Sequence, residues 1–230
     1  DDIHYASNHD FVGIEFSIHG MLDGRVRVGM PGKFNADNAL AALAVCTLAL
    51  SGGSGVLDDH TKQAILGSLV KVRVDGRMEI AHVSKKCSVI VDYAHNAVSM
   101  ESLLTTLRDY HPKRLVCVFG CGGNRARDRR YSMGEIGGKM ADLCIITADN
   151  PRFEKNEDII KDIEVGLAKT DGTYLVIPDR REAIFYAIRN AEEGDMIAII
   201  GKGHEDYQEI EGVKHHFLDR EVVEEAVNNV

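Results

Sequence analysis

Hydrophobic and polar positions divide the chain into two regions with different patterns. In the first region, strand-like segments at 11–18 and 25–30 flank a turn rich in glycine and aspartate, which predicts a hairpin. Residues 36–50 are rich in alanine and leucine and predict a buried helix, and a second helix is expected at 58–69. These elements contain few strands and no complete core, so we expect them to be the tail of a domain.

After residue 70, apolar runs alternate with segments of helical periodicity. One of these helices is expected to turn Met133, Ile136 and Met140 inward. The alternation predicts an α/β fold built on a mostly parallel, doubly wound sheet. The predicted strands are 87–92, 114–119, 142–147, 174–177 and 195–200, followed by a hairpin (206–210 and 213–217) and a helix at 219–228.

Composition narrows the class of protein and of partner. The 230 residues are 44% hydrophobic and 27% charged, which is typical of a soluble globular chain. A net charge of −9 argues against a nucleic-acid or membrane binder and favours a small-molecule partner. The five cysteines have no C-x-x-C spacing, which indicates a reducing cytosol and no disulfide framework or zinc site. No apolar run approaches the roughly 18 residues of a membrane span.

Polar, glycine-bearing segments follow four of the predicted strands. Ligands of open parallel sheets bind beyond the carboxyl ends of the strands, so these segments are the candidate site. They are DYAHN (92–96), GCGGNR (120–125), DNPR (149–152) and GKGHE (201–205). Any one of them could be an ordinary polar loop, but four at equivalent positions indicate function.

Each segment suggests its own chemistry. The glycines of 120–125 allow the backbone to approach a ligand closely, and the arginines that follow them suit an anion. For Arg127 and Arg129, a solvated basic turn is the preferred interpretation. Arg152 could take a carboxylate in a bidentate grip, and Glu205 could hold an ammonium group. Together the segments favour a zwitterionic, amino-acid-like ligand.

Two other chemistries are weaker interpretations of the same residues. Cys121 could be a nucleophile, but no histidine and acid accompany it in the sequence, so packing is expected. His215 and His216 are adjacent and would face opposite sides of a strand, so no metal site is expected there.

Six ordered segments resemble the Mur ligase family, and among its members most resemble those that add meso-diaminopimelate to a peptidoglycan precursor. The segments are GKFNADN (32–38), GRME (76–79), DYAH (92–95), the glycine loop, DNPR (149–152) and GKGHEDYQ (201–208). The resemblance implies that residues 1–70 are the rear of a central ATPase-type domain and that 71–230 are a Rossmann-like C-terminal domain. The implied linker lies near residues 70–76.

The resemblance also implies a reaction and its site residues. Family members form an acyl phosphate from ATP and a peptide carboxylate, which the amine of an amino acid then attacks. The implied ATP side is Asn35, Asn38, Arg77, Asp92 and His95. Asn35 could also be a plain helix cap, and the two roles can coexist. The implied meso-diaminopimelate side is Arg130, Asp149, Asn150, Pro151, Arg152, Gly201 and Glu205. ATP, Mg²⁺ and a UDP-sugar peptide are the implied cofactors and co-substrate.

Some expected parts are different or lie outside these residues. Ala97 and Asn124 stand where the family usually has proline and aspartate. The chain starts at Asp1 within a predicted loop, and we expect a C-terminal fragment whose P-loop, carbamylated lysine and magnesium ligands lie elsewhere, and which is inactive alone. An incomplete first domain should expose apolar surface and tend to associate. Alternatives are a lysine-adding or cyanophycin-synthetase-like ligase, against which Arg152 and Glu205 argue, and a non-catalytic amino-acid-binding module.

Overall fold

A computed structural model describes residues 2–8 and 10–229, which form two compact units, 1–73 and 74–230. In the first unit, the hairpin strands pair antiparallel as predicted, and one further strand extends their sheet. That strand, His4–Asn8, has no alternation of polar and apolar residues, which explains why its sequence did not predict it. The elements of this unit are β1 (His4–Asn8), β2 (Phe11–Ile18), β3 (Gly24–Val28), α1 (Phe34–Leu50) and α2 (Asp59–Ser68), followed by a 3-10 turn at Leu69–Lys71.

Only one face of α1 is buried, although its sequence is apolar on all sides. The inward face packs small residues and Leu43 against the sheet residues Ile14, Phe16 and Val26. The outward face leaves Val45 67% exposed, together with Leu48 and Leu50. The prediction of a helix was therefore right, its complete burial was wrong, and the apolar surface expected in this region is present.

The second unit contains a six-stranded sheet in the order β4-β5-β9-β6-β7-β8. All neighbouring strands are parallel except β4, which pairs antiparallel with β5 at the edge. This confirms the α/β class with a mostly parallel, doubly wound sheet. The elements are β4 (Glu79–Val83), β5 (Cys87–Asp92), α3 (Ala97–Arg108), β6 (Arg114–Phe119), α4 (Arg127–Met140), β7 (Leu143–Ile146), α5 (Asn156–Leu167), β8 (Tyr174–Val176), α6 (Arg180–Arg189), β9 (Asp195–Ile200), β10 (Tyr207–Ile210), β11 (Val213–His216) and α7 (Asp219–Asn228).

Helices cover both faces of this sheet. Alternate residues of β5, β6 and β9, including Val89, Val116 and Ile197, form one core with α6 and α7. The intervening residues point to the other face, where Phe119 and Cys144 lie against α4. Buried strands of this kind are continuously apolar, which is why their positions could be predicted from the sequence.

The helices α4 and α5 approach each other closely through glycine. A Cβ atom on Gly134 would lie 2.1 Å from the carbonyl oxygen of Ile163, and one on Gly166 would lie 2.0 Å from that of Tyr131. Met133 is buried as predicted, but Ile136 and Met140 are only half-buried. The inward face of α4 is lined largely by glycines, which hydrophobic periodicity does not detect.

A fully buried ion pair ties the sheet to the helices at its carboxyl edge. Arg180 donates two hydrogen bonds of 2.7 Å to the carboxylate of Asp219, at the start of α7. The same guanidinium donates to the carbonyl oxygens of Ala148 (3.2 Å) and Ile200 (3.0 Å). It therefore links the ends of two strands, β7 and β9, to the start of two helices.

Removing one partner of this pair should destabilise the protein strongly. We expect Arg180→Met to lower the free energy of unfolding by about 3–5 kcal/mol, because it leaves the Asp219 carboxylate buried without a counter-ion. Arg181→Met is the matched control. Arg181 follows Arg180 in the same helix and pairs with Glu225 at the surface, so this ion pair should contribute little to the free energy of unfolding. Urea denaturation followed by circular dichroism measures both, and equal effects of the two variants would contradict the assignment.

Candidate active site

A cavity of about 320 Å³ opens at the carboxyl edge of the sheet in the second unit. Segments that follow four strands, β5, β6, β7 and β9, form its walls. This is the position expected for a ligand site of an open parallel sheet. Its lining residues are Tyr93, His95, Gly120, Cys121, Gly122, Arg125, Arg129, Asp149, Asn150, Arg152, Gly201 and Glu205.

The glycines of the 120–125 loop have a packing role in addition to the one that the sequence suggested. A Cβ atom on Gly120 would lie 2.2 Å from the carbonyl oxygen of Thr147, and one on Gly123 would lie 1.9 Å from that of Pro151. Gly123 also donates its backbone N–H to Asn150 at 2.8 Å. These glycines therefore allow the loop to pack against the segment 147–152, and this contact requires them whether or not a ligand is bound.

A buried lysine joins the DNPR and GKGHE segments. Lys202 is completely buried, and its Nζ atom lies 3.4 Å from Glu205 Oε2 and 3.5 Å from Asn150 Oδ1, and also donates to the carbonyl oxygen of Tyr207. Asn150 Nδ2 donates to the same Glu205 oxygen at 2.8 Å. Burial is the largest influence on the pKa of Lys202 and lowers it, whereas Asp149 and Glu205 favour its charged form. Lys202 is not among the site residues predicted from the sequence.

Two carboxylates, Asp149 and Glu205, and three arginines line the cavity. Asp149 is buried next to Gly201, and burial raises the pKa of its carboxyl group against the opposing effect of Arg180 and Lys202. The three arginines that line the cavity, Arg125, Arg129 and Arg152, have their bases on the loops after β6 and β7 and in the first turn of α4. A ligand that carries both an ammonium and a carboxylate matches this arrangement.

The guanidinium of Arg152 is held at two points. Its Nη1 atom donates to the carbonyl oxygen of Gly123 at 2.9 Å, and its Nε atom lies 3.2 Å from Glu209 Oε2. Arg152 has a φ of 54°, in the left-handed region that side chains other than glycine rarely adopt. Backbone hydrogen bonds with Glu209 and Glu211 stabilise this conformation.

Not every predicted substrate residue reaches the cavity. Arg130 is 1% exposed and pairs instead with Glu154 (2.8 Å) and Asp162 (3.0 Å). Its Nε atom is buried without a hydrogen-bond partner among the described residues. Pro151 lines a separate cavity on the other side of the same loop. Both residues thus lie behind the walls of the site.

Of the two arginines that were expected to lie in a solvated turn, only one does so. Arg129 lines the cavity, although a solvated turn was the preferred interpretation, and Arg125 does so as well. Arg127 is exposed at the surface and lies 3.5 Å from Asp162, in agreement with that interpretation. The α4 helix begins at Arg127 and turns successive side chains by about 100°, which places Arg129 and Arg127 on different sides.

The residues predicted to contact ATP occur in both units. In the second unit, Arg77 stacks over Tyr93 with its guanidinium carbon 4.8 Å from the ring centre, and Tyr93 also contacts the rings of His95 and His204. Asp92 accepts backbone N–H groups from Met78 (2.8 Å) and Ala94 (2.7 Å), and burial raises its pKa. Of these residues, Tyr93 and His95 line the cavity.

In the first unit, Asn35 and Asn38 lie one turn apart on α1. Asn35 is buried, donates to the carbonyl oxygen of Pro31 at 2.7 Å and accepts from Asn38 Nδ2 at 3.0 Å. The helix begins at Phe34 with Lys33 as its N-cap, so the interpretation of Asn35 as the cap residue is wrong.

Comparisons with known proteins agree with this geometry. The family model described as "Mur ligase, glutamate ligase domain" matches residues 76–203, more than half of the chain. The chain belongs to the Mur ligase family. It is 43% identical over 203 residues to a UDP-N-acetylmuramoyl-L-alanyl-D-glutamate--2,6-diaminopimelate ligase of Clostridioides difficile (strain 630), with 88% of this chain and 40% of the relative covered. It is 46% identical over 196 residues to the ligase of the same name from Aquifex aeolicus (strain VF5), with 85% and 38% covered.

A solved structure of a diaminopimelate ligase of the same name shares the fold. It matches with a TM-score of 0.73 and 34% identity over 99% of this chain and 45% of that one. This Mur ligase chain thus spans about two fifths of the length of the curated relatives it matches. Across residues 2–8 and 10–229, no helix is long and apolar enough to cross a membrane, and no three His, Cys, Asp or Glu side chains form a group suited to a metal ion.

The thiol in the wall of the Mur ligase cavity should be unreactive. Burial raises the pKa of Cys121 to about 12, and its Sγ atom packs 3.7 Å from Met133 Sδ. At pH 8 only about one molecule in 10⁴ would carry the thiolate, so iodoacetamide should modify the exposed Cys46 and leave Cys121 intact. Mass spectrometry of alkylated peptides measures this, with the urea-unfolded chain as the control in which all five cysteines react. Rapid alkylation of native Cys121 would restore the nucleophile interpretation.

Proposed function

We propose that this chain is the C-terminal part of an ATP-dependent ligase that adds meso-diaminopimelate to UDP-N-acetylmuramoyl-L-alanyl-D-glutamate. The observation that carries the proposal is the cavity that collects Asp149, Asn150, Arg152, Gly201 and Glu205, five of the seven residues predicted for the amino-acid side. The names of the two curated relatives and of the solved structure support the same substrate.

The charges of the cavity suit the two ends of meso-diaminopimelate. Each end of this amino acid carries an ammonium and a carboxylate group. In the proposed complex Arg152 binds the distal carboxylate, which L-lysine lacks, and Glu205 and Asp149 face an ammonium group. A ligand without a distal carboxylate would leave the Arg152 guanidinium without a partner, and the site would therefore reject that ligand.

The proposed reaction places demands on the rest of the protein. The peptide carboxylate would be phosphorylated by ATP and then attacked by the free amine, with Mg²⁺ supplied by ligands outside these residues. In this proposal residues 1–70 are the rear of the ATP-binding domain, and Asn35, Asn38, Arg77, Asp92 and His95 face the nucleotide. Arg77 is exposed and positively charged, as a phosphate contact would require. The full-length enzyme would act in the cytosol.

A lysine-adding or cyanophycin-synthetase-like ligase is the second proposal within the same fold. The position of Arg152 in the cavity wall favours the first proposal over this one. A ligand without a distal carboxylate would leave the guanidinium of Arg152 without a partner in the ligand. A binding module without catalysis would keep the pocket but show no ATP-dependent amide formation.

Calorimetric titration of this chain tests the ligand. We expect meso-diaminopimelate to bind and L-lysine to bind far more weakly, and we expect Arg152→Ala to reduce the affinity for meso-diaminopimelate by about 10- to 100-fold through loss of a charged hydrogen bond. Arg127→Ala is the matched control, because it removes an exposed arginine that does not line the cavity.

The same ligands should then be tested in the protein expressed from its complete gene. Phosphate release from ATP that depends on both meso-diaminopimelate and the UDP-sugar peptide is the expected result. Equal use of L-lysine would favour the second proposal. Failure of both the chain and the full-length protein to bind or use meso-diaminopimelate would overturn the first.

A further inference from the structure

Glu209 lies in strand β10 and is joined by its backbone to the DNPR segment. Arg152 donates its backbone N–H to the carbonyl oxygen of Glu209 at 3.0 Å, and Glu209 donates its own N–H to Asn150 Oδ1 at 2.9 Å. An isolated parallel bridge between Arg152 and Ile210 continues this pairing. These backbone contacts therefore fix the register of the strand against the loop, and with it the position of the Glu209 backbone.

That side chain occupies one side of the Arg152 guanidinium. Glu209 Oε2 lies 3.2 Å from Nε, while Nη1 donates to the carbonyl oxygen of Gly123. A Cβ atom on Gly122 would lie 2.8 Å from Nη1, so the absence of a side chain there makes room for the guanidinium. In the part of the chain that the structure describes, Nη2 makes no hydrogen bond, and Arg152 lines the cavity.

An arginine side chain has many rotamers, and ordering it on binding reduces affinity. Both Glu209 and Arg152 are about one-fifth exposed, so their pairing is sheltered from solvent on most sides. Contacts at Nε and Nη1 fix the plane of the guanidinium before a ligand arrives. The Glu209 carboxylate also neutralises part of the positive charge of Arg152. A ligand therefore gains a strong contact only when it presents a carboxylate to the remaining N–H groups.

We propose that Glu209 is a positioning residue that sets the specificity of this site for an amino acid with a distal carboxylate, by holding Arg152 in its binding orientation. The inference rests on the proposed function, in which Arg152 binds that carboxylate. Glu209 acts through Arg152 and does not itself touch the ligand. It differs in this from Glu205, which lines the cavity directly.

Three single variants test the proposal in this chain by calorimetry with meso-diaminopimelate. Glu209→Ala should weaken binding by about tenfold, whereas Glu209→Gln should weaken it by only about two- to threefold, because glutamine keeps the shape of the side chain and a polar oxygen close to Nε. Glu211→Ala is the matched control. It removes the same charge two residues away, from an exposed side chain whose residue contacts Arg152 only through its backbone N–H.

A double-variant cycle separates positioning from general damage. In the Arg152→Ala background, adding Glu209→Ala should not change the affinity further, because the residue through which Glu209 acts is gone. The NMR signal of the Arg152 Nε–H group in the ligand-free chain provides an independent readout. It should exchange slowly with solvent in the original chain and in Glu211→Ala, and rapidly in Glu209→Ala.

Each outcome has a distinct meaning. Loss of affinity in Glu209→Ala that persists in the Arg152→Ala background would overturn the proposal, as would affinity equal to that of the original chain. Equal losses in Glu209→Ala and Glu211→Ala would indicate a general charge effect and overturn it as well. If the original chain and the full-length protein both fail to bind meso-diaminopimelate, the proposed function fails and the specificity role of Glu209 fails with it, whatever the variants do.

Discussion

The buried ion pair between Arg180 and Asp219 is the constraint on which the geometry of the cavity depends. Its guanidinium contacts the backbone at Ala148 and Ile200, directly before Asp149 and Gly201. A buried charge pair is tolerated when its remaining hydrogen-bonding groups are satisfied, and four acceptors achieve that here. The ends of β7 and β9 are thereby fixed relative to each other, so the loops that follow them start from a rigid edge.

The loops of the site are supported mainly by one another, in addition to that edge. Lys202 bonds to residues of two loops, the glycines of the 120–125 loop admit the carbonyl oxygens of Thr147 and Pro151, and Glu209 holds Arg152. Apart from the contact of Lys202 with Glu205 in its own loop, each contact joins segments that are far apart in the sequence. Such mutual support keeps polar side chains in place without a ligand, which lowers the ordering cost of binding.

The sequence predicted the parts of this structure that have a local or periodic signature. The five parallel strands are apolar runs, four of them buried and β8 exposed at the edge of the sheet. The rule that ligands bind at the carboxyl ends of such strands located the candidate site. The strands β1 and β4 have no such signature, and both were missed. The burial of Arg130 away from the cavity could not be predicted. Its partners Glu154 and Asp162 lie 24 and 32 residues away, in a loop and in another helix.

The charges of the cavity favour the proposed amino-acid ligand over a simple anion. The carboxylates of Asp149 and Glu205 lie beside the buried cations Arg180 and Lys202, and burial raises the pKa of Asp149. A phosphate or other simple anion that contacted the arginines would lie in a cavity that these carboxylates also line, and their repulsion disfavours it. An ammonium group relieves that repulsion and favours the ionised form of Asp149, while a carboxylate on the same ligand reaches the guanidinium groups. The arrangement therefore supports the proposed ligand, which carries both charges.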